Sequence, residues 1–305
     1  MVTTTNSFDE GRGGIGSLHD YLQLTKPRIV ILLIFTTVTA MVIAAHGSTL
    51  ALPTLLATIV GGSLAAAGAS GLNQYIDRDL DAQMSRTKNR PIPSGRIAPV
   101  YALIFSLGLL AWSALILGVL VNWLAAALAM VGAVYYVVVY TLLLKRNTVL
   151  NILIGGGAGA IPVLVGWAAV RGSLEPGAFL LFAIIFYWTP PHSWALALLV
   201  NSDYAQANVP MMPVARGTDV TRVQILLYGI QLVVLTLLPF LFQMLGTFYF
   251  VAALLLGAGL LYQAWRLLHD ESKAAAKRAY KYTTMYLAIL FLAMIIDQTA
   301  IHLMR

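Results

Sequence analysis

Asn73, Asp77 and Asp81 stand four residues apart. Each step of four advances an α-helix by about 40° beyond a full turn, so the three side chains share one face. Like charges at that spacing repel unless a cation sits between them. Mg²⁺ suits such a place, because it takes one or two carboxylates and completes its shell with water and phosphate oxygens. Asp79 makes three carboxylates in five residues. Arg86, Lys88 and Arg90 follow, with donors matched to phosphate oxygens. An acid ladder followed by a basic run is expected to bind a magnesium diphosphate. The plain alternative is a salt-bridged, solvated loop.

A second polar constellation is Tyr187-Trp188-Thr189-Pro190-Pro191-His192-Ser193-Trp194, leading to Asp203 and Tyr204. Two prolines inside an apolar helix remove ladder hydrogen bonds and are expected to break it. An ionisable histidine within a membrane segment marks a site by default. As a neutral imidazole, His192 could ligate a metal, heme iron included, or bond a carboxylate; a satisfied structural histidine is the plain alternative.

Such charges need elements that keep them wet. Of 305 residues, 59% are hydrophobic and 10% charged, where a soluble domain carries about 25% charged residues. The expected fold is an all-α polytopic membrane protein, its nine helices surrounding a central cavity that opens to the cytoplasmic side. The spans fall near residues 29–45, 51–72, 100–120, 123–144, 149–170, 176–200, 224–245, 248–268 and 282–303. With the N-terminus inside, seventeen of the nineteen Lys and Arg residues lie on the inner loops, and only Arg171 and Arg305 fall outside. The C-terminus is then outside. Loops after spans two and six share the inner face, so Asp203 and the ladder can line one cavity. The +7 net charge is accounted for by these loops rather than by nucleic acid. No cysteine is present, which excludes disulfides and thiolate metal sites. Residues 1–20 carry no signal or transit pattern and are expected to be a mobile tail before a single domain over 21–305. A prokaryotic plasma membrane fits that start.

These stretches resemble the UbiA-type intramembrane prenyltransferases, and within them the branch that makes heme O by farnesylating heme B. Leu24-Thr25-Lys26-Pro27-Arg28, residues 73–93, 155–167 and 188–197, and Asp203-Tyr204 with residues 209–214 carry the likeness. The resemblance implies that Asn73, Asp77, Asp81 and Asp203 hold Mg²⁺ and are catalytic. It implies that Arg86, Lys88 and Arg90 bind the diphosphate and that His192 serves heme binding. Farnesyl diphosphate, heme B and the bilayer are the implied partners, with a downstream heme A synthase or terminal-oxidase assembly. One departure stands out. The family's second motif is Asp-x₃-Asp, and Ala207 occupies its fourth step, which leaves Tyr204 or Asn208 as substitutes. A quinone or chlorophyll-precursor prenyltransferase, a transporter and a heme carrier are the competing functions.

Two further features have alternative readings. Residues 155–160, Gly-Gly-Gly-Ala-Gly-Ala, are either a close helix-packing face or a bare wall for a flat ligand. Asp297, in the last span, is expected to be a structural hydrogen-bonding group.

Overall fold

The computed structural model describes residues 14–303. Its helices are α1 (Leu18–Thr25), α2 (Pro27–Ala44), α3 (Leu52–Ile76), α4 (Arg78–Gln83), α5 (Pro99–Leu120) and α6 (Trp123–Val134). A π-helix over Tyr135–Leu144 extends α6; then come α7 (Asn151–Gly155), α8 (Gly157–Arg171), α9 (Pro176–Leu199), α10 (Asn201–Gln206) and α11 (Met212–Ala215). The chain ends in α12 (Thr218–Leu241), α13 (Thr247–His269) and α14 (Lys273–Leu303). Among the described residues, eight helical segments are long and apolar enough to cross a membrane. α9 is equally long at 24 residues, but its stretch Tyr187–Trp194 is the polar one. It runs unbroken through Pro190 and Pro191, against the expected interruption. The break falls instead in span five, at Gly156 between α7 and α8.

Two rings of helices result. α2, α3, α5, α6 and α8 pack in a closed circuit; α9, α12, α13 and α14 form the second, and α2–α14 and α8–α9 contacts join them. Small residues permit the closest approaches. A Cβ on Gly71 would lie 2.1 Å from Ser106 Oγ, and one on Gly166 would lie 2.2 Å from the Thr37 carbonyl oxygen. Both sites therefore need a bare backbone where α3 meets α5 and α2 meets α8. The outward faces are apolar: Ile31, Val119 and Leu255 are 69%, 63% and 70% exposed. Lipid is the solvent that makes this arrangement stable.

Residues 1–13 of the expected tail lie outside the described residues. The remainder is ordered sooner than expected, because Ser17 and Asp20 form a capping box at the start of α1. Arg96 fastens this helix to the α5 side, its Nε donating to Asp20 at 2.7 Å. The Ser17 backbone N–H and then the Arg96 guanidinium hold the Asp20 carboxyl at about 2. A carboxylate lowered in the folded state stabilises fully above its unfolded value near 4, and that contribution is lost as pH falls toward 2. Amide protection in α1, corrected for intrinsic exchange, is expected to be flat from pH 7 to 4 and to fall below it. A decline already between pH 7 and 5 contradicts this account.

Asp297 is buried, and its carboxylate accepts from the backbone N–H of Gly246 at 2.5 Å and Tyr249 at 3.1 Å. It thus supplies, from α14, the cap that the N-terminus of α13 lacks in its own sequence. Asp297→Ala is expected to cost about 1–3 kcal/mol of stability, measured by unfolding in detergent. Activity at permissive temperature is expected to persist.

Candidate functional site

The acid ladder closes one end of the first ring. Asn73 and Asp77 follow from α3, and Asp81 lies in α4; Asp77 and Asp81 are fully buried and Asn73 is 3% exposed. A buried carboxylate is sustained only by cations or hydrogen bonds around it. Asp77 accepts from Asn73 Nδ2 at 2.8 Å, from Lys145 Nζ, and from Arg146 Nη2 at 3.3 Å. Asp81 accepts from Arg90 Nη1 at 2.6 Å. Lys26 Nζ donates to Asn73 Oδ1 at 3.0 Å. Burial, then the Arg90 and Lys145 cations, push Lys26 down to about 7. Arg146 also grips Asp79 with two bonds of 2.8 Å and lowers its proton affinity.

The second acid segment meets the first. Asp203 accepts from Ser85 Oγ at 2.8 Å and from the Arg86 backbone N–H at 3.3 Å. Of the expected phosphate donors, Arg90 sits in the ladder, Arg86 lies exposed above Asp203, and Lys88 is exposed with no side-chain hydrogen bond among the described residues. Ala207 is buried among Leu80, Met84 and Val209, so a hydrocarbon contact fills the place of the family's second Asp. Asn208 is an exposed turn residue in the left-handed region, φ 53°. Tyr204 is buried in the same cluster, and burial raises its phenol above the ordinary value.

Four partners escaped the sequence reading: Lys26, Thr141, Lys145 and Arg146. The π-helix delivers two of them. Its wide turns place Thr141 on Asn73 at 3.1 Å and Lys145, one rung further, on Asp77. π-helical turns are rare and concentrate at functional sites. The available clue was electrostatic: a ladder of like charges demands cations, and Lys145-Arg146 ends a span expected to finish on the same face as the ladder.

Below the ladder lies an apolar cavity of about 190 Å³, bounded by Lys26, Leu33, Gly62, Ala69, Tyr136 and Gly159 among others. It runs from the ladder between α2, α3, α6 and α8. From Lys26 to Thr37, both lining residues, eleven residues at about 1.5 Å each span about 16 Å. The glycine run splits between the two readings. A Cβ at Gly155 would meet Tyr140 at 2.2 Å, at Gly156 Thr189 at 2.9 Å and at Gly157 Tyr135 at 3.2 Å, whereas at Gly159 nothing lies within 4 Å. Three glycines serve helix packing, and the fourth leaves the cavity wall bare.

His192 lies elsewhere, on the α9–α14 seam. Its ring stacks on Trp188 at 4.2 Å and Tyr280 at 4.8 Å, and Nδ1 lies 2.9 Å from Thr283 Oγ1.

The donor set can be tested for a metal. Among the described residues no three His, Asp or Glu side chains converge as a ready cage. Asp81 Oδ1, however, is buried without any hydrogen-bond partner. An orphaned carboxylate oxygen beside an amide and a second carboxylate fits an oxygen-seeking cation that shares its shell with phosphate.

An all-helical membrane bundle with charged groups over an apolar tunnel defines a class, and the comparisons place the chain within it. The sequence profile of the UbiA prenyltransferase family matches residues 33–294. The chain belongs to this family. It is 50% identical over 288 residues to a protoheme IX farnesyltransferase of Picosynechococcus sp., covering 93% of this chain and 90% of that one. It is 49% identical over 300 residues to one of Roseiflexus castenholzii, covering 97% of this chain. The chain spans about half the length of that Roseiflexus relative, 55%. A digeranylgeranylglyceryl phosphate synthase shares the fold with a TM-score of 0.77 at 19% identity, over 93% of this chain and 99% of that one. So does a UbiA homolog from Archaeoglobus fulgidus bound to DMAPP and Mg²⁺, with a TM-score of 0.66 at 16% identity, over 90% and 99%.

Proposed function

We propose that this chain transfers the farnesyl group of farnesyl diphosphate to a vinyl group of heme B, with addition of water, giving heme O. The observation that carries it is the junction of two environments: buried carboxylates and cations at the mouth of a long apolar cavity. A prenyl diphosphate has the same division. The heme acceptor rests on the named relatives at about half identity.

Lys26 is held on the Asn73 amide oxygen, and Arg90, Lys145 and Arg146 on carboxylates, and all four can exchange these hydrogen bonds for phosphate oxygens. Arg86 and Lys88 add donors from the exposed rim. Asn73, Asp77, Asp81 and Asp203 would hold Mg²⁺, which supplies neutralising charge as the diphosphate departs. The allylic C–O bond breaks and the diphosphate leaves with the electron pair. The vinyl π pair forms the new C–C bond, water captures the heme-side cation, and a proton is released. The cavity's Ala, Ile and Gly walls keep water from the allylic cation until the acceptor reacts. His192 is the residue assigned to heme binding. The product suits a downstream heme A synthase or terminal-oxidase assembly.

We place the chain in a prokaryotic plasma membrane as one nine-span domain over residues 21–305, its N-terminus and acid ladder cytoplasmic and its C-terminus outside. Membranes containing the chain, given labelled farnesyl diphosphate with heme B or with a phenolic quinone precursor, test the reaction. Mass spectrometry is expected to find heme carrying farnesyl plus water. Label only in the phenolic product overturns the acceptor, and uptake without product overturns the enzyme.

A further inference from the structure

The hydrogens around Thr283 can be assigned from distances alone. Thr283 Oγ1 lies 2.8 Å from the Tyr280 carbonyl oxygen and 2.9 Å from His192 Nδ1. A hydroxyl has one hydrogen to give, and a carbonyl can only accept. If the hydroxyl donated to the imidazole, two oxygens would face each other at 2.8 Å with no hydrogen between them, which is repulsive. Both contacts are satisfied in one arrangement only: Thr283 donates to Tyr280, and His192 Nδ1–H donates to Thr283. In the neutral imidazole Nε2 then carries a bare lone pair, and it makes no hydrogen bond among the described residues.

The ring is fixed as well as its tautomer. Trp188 and Tyr280 stack on it, and Trp188 Nε1 donates to the Thr283 backbone oxygen at 2.7 Å. His192 is half-buried, so its free edge is not sealed in the interior. An imidazole oriented by a hydrogen bond from its other nitrogen is how proteins present histidine to a metal. The structure holds such a histidine on a wall of the bundle that the acid ladder does not use.

We propose that Thr283 is a positioning residue: it holds His192 as the Nδ1–H tautomer so that Nε2 donates its lone pair to the iron of the porphyrin acceptor. This rests on the heme reading given above. Nothing is oxidised or reduced; one axial position of the iron is filled. Ligation at the iron leaves the vinyl groups at the macrocycle edge free to react.

The test uses the full chain in lipid nanodiscs titrated with ferric heme B, against empty nanodiscs, followed by Soret absorption and electron paramagnetic resonance. The wild type is expected to show a histidine-ligated spectrum. His192→Ala is expected to lose it, and added imidazole to restore it. Thr283→Val keeps the side-chain shape and the backbone bond to Trp188 but removes the hydroxyl; it is expected to weaken heme binding about 10- to 100-fold and to alter the spectrum. Thr283→Ser is expected to bind as the wild type does. Thermal unfolding of each variant shows whether a loss is merely one of folding.

An unchanged spectrum in His192→Ala, or wild-type binding in Thr283→Val, overturns the proposal even when heme O is still made. A histidine-ligated heme that is never farnesylated overturns the reaction and leaves this inference standing. No heme binding by the wild type overturns both.

Discussion

Asp77→Asn is expected to lower farnesyl transfer by at least about a hundredfold, with the chain still folded and inserted. Removing one preorganised charge at a centre of developing charge costs about 10²–10³ in rate. On the proposed mechanism Asp77 occupies such a place; it is fully buried and bound by Asn73, Lys145 and Arg146 at once. The amide keeps the shape and can still accept from Lys145. Asp77→Ala is expected to abolish turnover too, with a second effect. It leaves Lys145, whose side chain is 11% exposed, with neither counter-charge nor the acceptor oxygen that asparagine retains, and breaking a buried pair from one side costs about 3–5 kcal/mol. The two variants therefore separate chemistry from stability. Both lose product, and only the alanine loses thermal stability heavily. Product is measured by mass spectrometry of labelled heme, stability by unfolding in detergent. Wild-type turnover in Asp77→Asn removes the ladder from the mechanism.

The ladder was legible because its signal is local. Asn73, Asp77 and Asp81 obey helical spacing whatever surrounds them, and buried like charges have few uses. Asp203 was legible through the parity of the spans, and it meets Ser85 and Arg86 across 118 and 117 residues of sequence. The cations opposite the ladder were not legible. Thr141 and Lys145 reach Asn73 and Asp77 only because the chain widens into a π-helix at Tyr135–Leu144. A 3.6-residue period cannot anticipate that widening. Span six misled for a related reason. Proline deletes two ladder bonds, but packing of α9 against α8, α12 and α14 keeps the helix continuous. Burial of Pro190 and Pro191 outweighs the bonds they lack.

Gly159 carries the second large expectation. It is the one glycine of its run whose Cβ would meet nothing within 4 Å, and it borders the 190 Å³ cavity. Gly159→Leu therefore adds a side chain into free space rather than into a neighbour, so unfolding temperature is expected to hold or rise. On the proposed reaction, the same side chain occupies room that the farnesyl tail needs. The KM for farnesyl diphosphate is expected to rise about tenfold or more, since each displaced methylene contact is worth about 0.8 kcal/mol. Geranyl diphosphate, one isoprene unit shorter, is expected to lose less, so the ratio of its kcat/KM to that of farnesyl diphosphate rises. Gly156→Ala provides the opposite case. Its Cβ would stand 2.9 Å from Thr189, and such overpacking costs about 1–3 kcal/mol of stability while the cavity stays open. If Gly159→Leu left both KM values unchanged, the prenyl tail would lie elsewhere. The division within the glycine run depends on that outcome: Gly155, Gly156 and Gly157 let the end of α7 and the start of α8 pack against their neighbours, and Gly159 keeps a space for substrate.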